Sequence, residues 1–162
     1  MSTADAVARE TAWLNTPGGG LPTLPASGGG PWGVVQGYWP RTPSRRAGGQ
    51  LYVVRTAIHE KRFANQRLMY THMFALRLVW PLSSGSGNAE ADQQSFDNAI
   101  ELVLQKVRAY QGDKTHGGRF LSVAENPPEV TVQFEDPARY LASEAEFRAT
   151  ISYHADDVDQ TG

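Results

Sequence analysis

The feature that most constrains the fold of this chain is an alternating run of apolar residues between Leu68 and Trp80. Every second residue in the run is aromatic or aliphatic apart from one histidine: Leu68, Tyr70, His72, Phe74, Leu76, Leu78 and Trp80. A period of two places these side chains on one face of a β-strand. Such a strand has to bury its apolar face against other elements, so the run predicts a long strand in a globular core.

Further patterns predict the elements around this strand. Gln50 to Glu60 is rich in β-branched and aromatic residues and predicts a second strand, joined to the first by a polar hairpin over Lys61 to Arg67. Apolar residues at helical spacing predict a long amphipathic helix from about Ala89 to Gln111. Three later segments also have strand character: Arg119 to Ala124, Val130 to Phe134 and Phe147 to Tyr153.

The amino-terminal third of the chain has a different character. Ser2 or Thr3 can cap a short helix that ends near Leu14. Thr16 to Gln50 then contains six prolines and two glycine triplets, which oppose regular structure. We expect a long loop here, with one short strand at about Gly33 to Trp39.

The predicted fold is therefore α+β. One mixed or antiparallel sheet is packed by the long amphipathic helix and the short N-terminal helix, with a long Gly/Pro-rich loop. The 162 residues fit one domain. Its predicted parts are an N-terminal helix at 1–15, an extended Gly/Pro-rich loop at 16–49, an α+β core at 50–156 and a flexible acidic tail at 157–162.

Composition excludes several classes of protein. The chain has no cysteine, so it forms no disulfide and no thiolate metal site. Its first ten residues lack the apolar core of a secretory signal. No apolar run is long enough to span a bilayer. We expect a soluble, cytoplasmic product that does not interact with membranes.

The candidate catalytic motifs do not have the required pattern. The triplets Gly18–Gly20 and Gly28–Gly30 lack the lysine of a phosphate-binding loop and are interpreted as flexible connections. Asp156 and Asp157 are assigned to the tail, where no burial can tune a carboxyl pKa.

The four histidines are too widely spaced along the chain for a metal motif: His59, His72, His116 and His154. His72 is expected in the core, and His116 in a polar surface loop. We therefore expect no catalytic, cofactor-binding or metal site, and no enzyme activity.

Charge is distributed unevenly along the chain. Between Arg41 and Trp80, eight basic residues stand against one acidic residue, and between Glu129 and Gly162, eight acidic residues stand against two basic ones. The two segments can form solvated faces that pair within the fold. Alternatively, they form a basic and an acidic side, through which copies of the chain meet head to tail and close into a ring. A third interpretation is that the basic residues contact a nucleic-acid backbone.

We expect subunit or partner contacts to come from the aromatic residues of the loop and from these charged segments. The candidates are Trp32, Tyr38, Trp39, Arg41, Arg45, Arg46, Arg55, Lys61, Arg62, Glu135, Asp136, Glu144 and Glu146.

The order of elements also resembles a known family. The strand Leu68–Trp80 and a short linker precede Phe96-Asp97-Asn98-Ala99-Ile100-Glu101, which opens the amphipathic helix. Pro127-Pro128-Glu129-Val130 then leads into an alternating strand. Over about Gln50 to Asp156, this arrangement resembles the tail terminator (tail completion) family of neck proteins in long-tailed bacteriophages.

That resemblance implies a virion protein of the tail and neck, assembled in the host cytoplasm. It implies a hexameric ring that ends the tail tube, contacts the tail tube protein and joins the head-completion or adaptor proteins. DNA would only pass through the ring, non-specifically, and the family has no catalytic residues to carry over. Another neck component, such as a head-closure or adaptor protein, is an alternative. A second alternative is a small nucleic-acid-binding protein or enzyme, with a site centred on His59, Lys61 and Arg62.

Overall fold

The computed structural model describes residues 3–17, 20–40, 49–64, 67–81, 89–109, 114–125, 129–135 and 146–160. These residues form two α-helices and six strands in the order α1 (Ala6–Asn15), β1 (Trp32–Gly37), β2 (Gly49–Ala64), β3 (Arg67–Pro81), α2 (Ala89–Arg108), β4 (Ser122–Val123), β5 (Thr131–Phe134) and β6 (Glu146–Gln160). All six strands belong to one sheet in the order β1-β2-β3-β6-β4, with β5 also paired to β6. Since β1 and β2 run parallel and the other pairs antiparallel, the sheet is mixed. The predicted α+β class is confirmed.

Strand β3 lies between β2 and β6 in the sheet. Leu76 pairs with Val53 on one side and Ile151 on the other, and all three side chains are fully buried. We call this side of the sheet the core face. Arg77, the next residue, points to the opposite side, which we call the outer face. The hairpin is tighter than predicted, because β2 continues to Ala64 and β3 begins at Arg67.

The prediction of a flexible acidic tail is wrong, because most of its residues belong to strand β6. The strand continues to Gln160, and Asp156 and Asp157 pair with Thr71 and Tyr70 of β3. Both carboxylates are buried. The two carboxylates can be buried because polar groups from distant segments of the chain contact them. A pattern of alternating apolar residues gives no information about such partners.

Both helices contribute to one apolar cluster with the core face of the sheet. Val7 and Leu14 of α1 and Val103 of α2 are fully buried within it. The ring of Phe96 is stacked on those of Trp80 and Phe147, at centroid distances of 5.8 and 6.3 Å. Helix α2 ends at Arg108, three residues before the predicted end. There Ala109 adopts a left-handed φ of 49°.

The described part of the Gly/Pro-rich segment contains regular structure and one very close backbone contact. It contains a 3-10 turn at Ala26–Gly28 and then β1, which confirms the short predicted strand. A Cβ on Gly30 would lie 2.2 Å from the carbonyl oxygen of the fully buried Leu24. The second glycine triplet is thus a site of close backbone approach, and its interpretation as a flexible connection is wrong.

Candidate functional site

The aromatic candidates of the Gly/Pro-rich segment divide between the core and the surface. Trp32 is 0% exposed, and its ring lies 5.3 Å from that of Trp80 in an edge-to-face arrangement. The expectation that Trp32 contacts a partner is therefore wrong, because the pleat of β1 turns its indole into the core. Tyr38 and Trp39 are 60% and 41% exposed. These two side chains are accessible to another molecule.

A turn after β1 brings Trp39 beside the outer face. Tyr38 has a left-handed φ of 67°, and its amide donates a hydrogen bond to the Val53 carbonyl at 2.8 Å. The ring of Trp39 meets that of Tyr52 edge-on, with centroids 5.0 Å apart. Tyr52 is buried and donates its hydroxyl hydrogen to Gln50 Oε1 at 2.6 Å. Trp39 therefore packs against a buried tyrosine whose hydroxyl is held by a hydrogen bond.

A groove of about 400 Å³ opens on the outer face beside this tryptophan. Its lining includes Trp39, Val54, Arg77, Glu135 and Arg148. Arg148 donates to both carboxylate oxygens of Glu146, at 3.2 and 3.3 Å, so Glu146 has a partner within the chain. Arg77 donates to the Thr150 hydroxyl at 3.2 Å. The buried Oε2 of Glu135 accepts no hydrogen bond from the described residues.

A second cleft, of about 320 Å³, lies further along the β2–β3 hairpin. His59, Thr71 and Asp156 form one row across β2, β3 and β6 and line the cleft with Lys61. Thr71 donates its hydroxyl hydrogen to Asp156 Oδ1 at 2.8 Å. Glu60 also lines the cleft, which therefore presents an imidazole, an ammonium group and two carboxylates that can bind a polar group.

The charged residues that were predicted to make contacts differ in their exposure to solvent. Lys61 and Arg62 are exposed, Arg55 and Glu135 are half-buried, and Glu146 is buried. The remaining candidates lie outside the described residues: Arg41, Arg45, Arg46, Asp136 and Glu144. Part of the acidic segment is thus neutralised inside the fold, whereas the basic end of β2 faces solvent.

A buried polar cluster at helix α1 was not predicted from the sequence. His116 is 0% exposed, which contradicts its expected surface position. Its Nδ1 lies 3.0 Å from Glu10 Oε1, and its Nε2 lies 2.9 Å from the Val107 carbonyl oxygen. A carbonyl oxygen only accepts, so Nε2 carries the hydrogen that is donated to Val107. Trp13 stacks on the imidazole at 4.6 Å.

One signal in the sequence could have located Glu10. It lies three residues after Val7 and four before Leu14, on the side of α1 that is buried.

Burial and the neighbouring Glu10 carboxylate raise the pKa of Tyr153 well above its ordinary value. Burial, with the charge of Arg119, lowers the pKa of Lys106.

A second buried link joins α1 to β6. Arg9 donates to Asp157 Oδ2 at 2.9 Å and to the carbonyl of Arg119 at 2.6 Å. His72 Nε2 lies 3.5 Å from the same Asp157 oxygen, and His72 is fully buried, which confirms its predicted core position. Burial opposes ionisation of Asp157, but His72 and Arg9 more than offset it, so the pKa of Asp157 lies below its ordinary value.

These two links lie inside the protein and hold α1 in place. The solvent-accessible candidates for function are instead the groove, the cleft and the exposed residues of the sheet. In the part of the chain that the structure describes, no three histidine, aspartate or glutamate side chains converge in a way that could hold a metal ion. Neither described helix has the length and apolar character needed to cross a lipid bilayer. No protein-family model matches the chain, and no curated protein matches its sequence.

Proposed function

We propose that this chain is a structural, non-enzymatic subunit that assembles into a ring at the head–tail junction of a long-tailed bacteriophage. The observation that supports this most is the position of its exposed apolar side chains. Among the described residues, the large exposed ones all lie in or beside the sheet, and neither helix carries one: Tyr38, Trp39, Ile58, Leu121 and Phe134. Tyr38 and Trp39 are adjacent in the chain, and neighbouring exposed apolar groups of this size favour contact with other proteins.

The order of elements supports the same proposal. Strand β3, helix α2 and strand β5 occur in the order on which the resemblance to tail terminators rests. From that resemblance we propose a hexamer that ends the tail tube and joins it to the head-completion proteins, with DNA passing through non-specifically. The amphipathic face of α2 packs the sheet, and Tyr38 and Trp39 contact a neighbouring subunit.

The direct test is to measure assembly with and without the tube. The purified protein is examined by mass photometry and negative-stain electron microscopy, alone and with the tail tube protein encoded in the same genome. We expect rings that bind one end of the tube. Trp39→Ala should weaken assembly, whereas Asp97→Ala on the exposed side of α2 should not. A protein that stays monomeric at high concentration and ignores the tube protein contradicts the proposal.

A head-closure or adaptor protein is the nearest alternative, since such proteins share this size and symmetry. Co-purification separates the two roles. A terminator binds tail tube protein, whereas an adaptor binds the portal.

The cleft at His59 and Lys61 supports one alternative of a different class, a small nucleic-acid-binding protein or enzyme. Its basic groups could bind phosphate, although the Asp156 carboxylate in the same cleft opposes an anion. DNA binding across a salt series tests this. Tight binding that weakens steeply with salt and is lost on Lys61→Ala and Arg55→Ala favours the alternative.

A further inference from the structure

The second half of strand β2 forms an open edge of the sheet. Strand β1 pairs with β2 only from Gly49 to Val53. From Ala57 to Arg62, no described strand lies on that side, so alternate backbone amides and carbonyls point away from the sheet. Ile58 is 43% exposed here, and His59, Glu60, Lys61 and Arg62 are exposed as well, so two cations stand against one carboxylate. We call Ala57–Arg62 the basic edge.

Strand β5 forms a second open edge on the opposite side of the sheet. Strand β6 has β3 on one side and both β4 and β5 on the other. Among the described strands, β5 pairs with β6 alone, so its other side is open. Glu129 and Glu135 flank it, and Phe134 is 55% exposed. We call Glu129–Glu135 the acidic edge.

We infer that the basic edge of one copy pairs with the acidic edge of the next, so that the β-sheet continues from subunit to subunit. This inference rests on the proposed ring function. The edges carry opposite charge, and each exposes one large apolar side chain, Ile58 or Phe134. Backbone hydrogen bonds between such edges provide affinity, and side chains set the register and choose the partner.

The position of the edges determines the type of assembly. Because the two surfaces differ and lie on opposite sides of one sheet, each copy has one neighbour on each side. Such a contact is heterologous, and it closes into a ring when the rotation per subunit permits. The charge of Lys61 disfavours pairing of this edge with a second basic edge.

Paired cysteines test the contact, since the chain has no cysteine of its own. The variants are Ile58→Cys with Phe134→Cys and, to cover another register, Lys61→Cys with Thr131→Cys. Within one copy, β3 and β6 separate the two edges by about 14 Å, at roughly 4.8 Å per strand. A disulfide requires Cα atoms within about 7 Å. Only bonds between copies can therefore form.

Mild oxidation of the assembled protein should give a ladder of linked copies on a non-reducing gel, up to the copy number of the ring. The matched control, Ile58→Cys with Asp97→Cys on α2, should give no ladder. Rings that assemble while neither edge pair cross-links faster than the control overturn the inference and leave the proposed function intact. Absence of rings even with the tail tube protein rejects both.

Discussion

The carboxylate of Glu10 lies 3.0 Å from Nδ1 of His116, and neither side chain is exposed to solvent. The two residues are 106 positions apart, so the contact ties α1 to the segment between α2 and β4. Trp13, one turn after Glu10, stacks on the imidazole and donates its indole N–H to the Lys106 carbonyl. The amino-terminal helix is thus held by specific polar contacts as well as by its apolar residues.

Glu10→Ala is expected to lower the free energy of unfolding by about 3 kcal/mol, because it leaves a buried imidazole nitrogen without its partner. Urea denaturation at neutral pH measures the change. Asp97→Ala, on an exposed position of α2, is the control and should change stability by less than about 0.5 kcal/mol. Equal stability of the two variants would show that the pair does not hold α1.

The two tryptophans of the Gly/Pro-rich segment should respond differently to truncation. Trp32→Ala removes a fully buried indole and is expected to cost about 3–5 kcal/mol of stability. Trp39→Ala removes a half-exposed ring and should cost about 1 kcal/mol or less. Thermal unfolding followed by circular dichroism compares them. If Trp39→Ala proves the more destabilising variant, the burial assigned to these residues is incorrect.

Gly30→Ala tests whether the second glycine triplet is packed or merely flexible. The added Cβ would lie 2.2 Å from the Leu24 carbonyl oxygen, which is backbone and cannot rotate away. We expect a loss of about 2 kcal/mol or more in the free energy of unfolding. Ser27→Ala, an exposed substitution in the neighbouring 3-10 turn, serves as the control. A flexible connection would tolerate both changes equally.

Asp157 should contribute to stability in a pH-dependent way. Its pKa in the folded protein lies below the ordinary value of about 3.9, so the folded state binds fewer protons than the unfolded chain near that pH. Its contribution is therefore fully present above about pH 4 and is lost as the pH falls through the lowered pKa. Asp157→Asn should be less stable than the natural protein at neutral pH. The difference should narrow in acid, and chemical denaturation over a pH series measures it.

Local patterns predicted the centre of this fold well. The alternation from Leu68 to Trp80 located β3, and helical spacing located α2, because in both elements apolar residues follow the period of the backbone. The α+β class followed from the order of these elements. The short strand β1 was also predicted, although the direction of Trp32 was not, since glycine and valine neighbours leave either face available.

The buried polar contacts could not be predicted in this way. Asp157 is buried because Arg9 approaches it from a helix 148 residues away in sequence. His116 is buried because Glu10 and Val107 satisfy both of its ring nitrogens. These positions depend on tertiary partners, and a sequence window that contains one partner carries no information about the other.

Charge reversal at the two open edges gives the sharpest prediction about assembly. Lys61→Glu with Arg62→Glu makes the basic edge acidic, so both edges of that variant repel each other. Glu129→Lys with Gln133→Lys makes the acidic edge basic, with the same result, and leaves the buried oxygen of Glu135 unchanged. Each variant alone should remain monomeric in mass photometry.

An equimolar mixture of the two variants should assemble into the proposed ring, because every edge then meets one of opposite charge. The subunits must alternate around such a ring, which requires an even number of copies and is satisfied by a hexamer. Added salt should weaken the mixed ring, since exposed charges are screened within about 8–10 Å at moderate ionic strength. Circular dichroism of each variant checks that it is folded. Folded variants whose mixture assembles no better than either alone would exclude edge pairing as the contact that builds the ring.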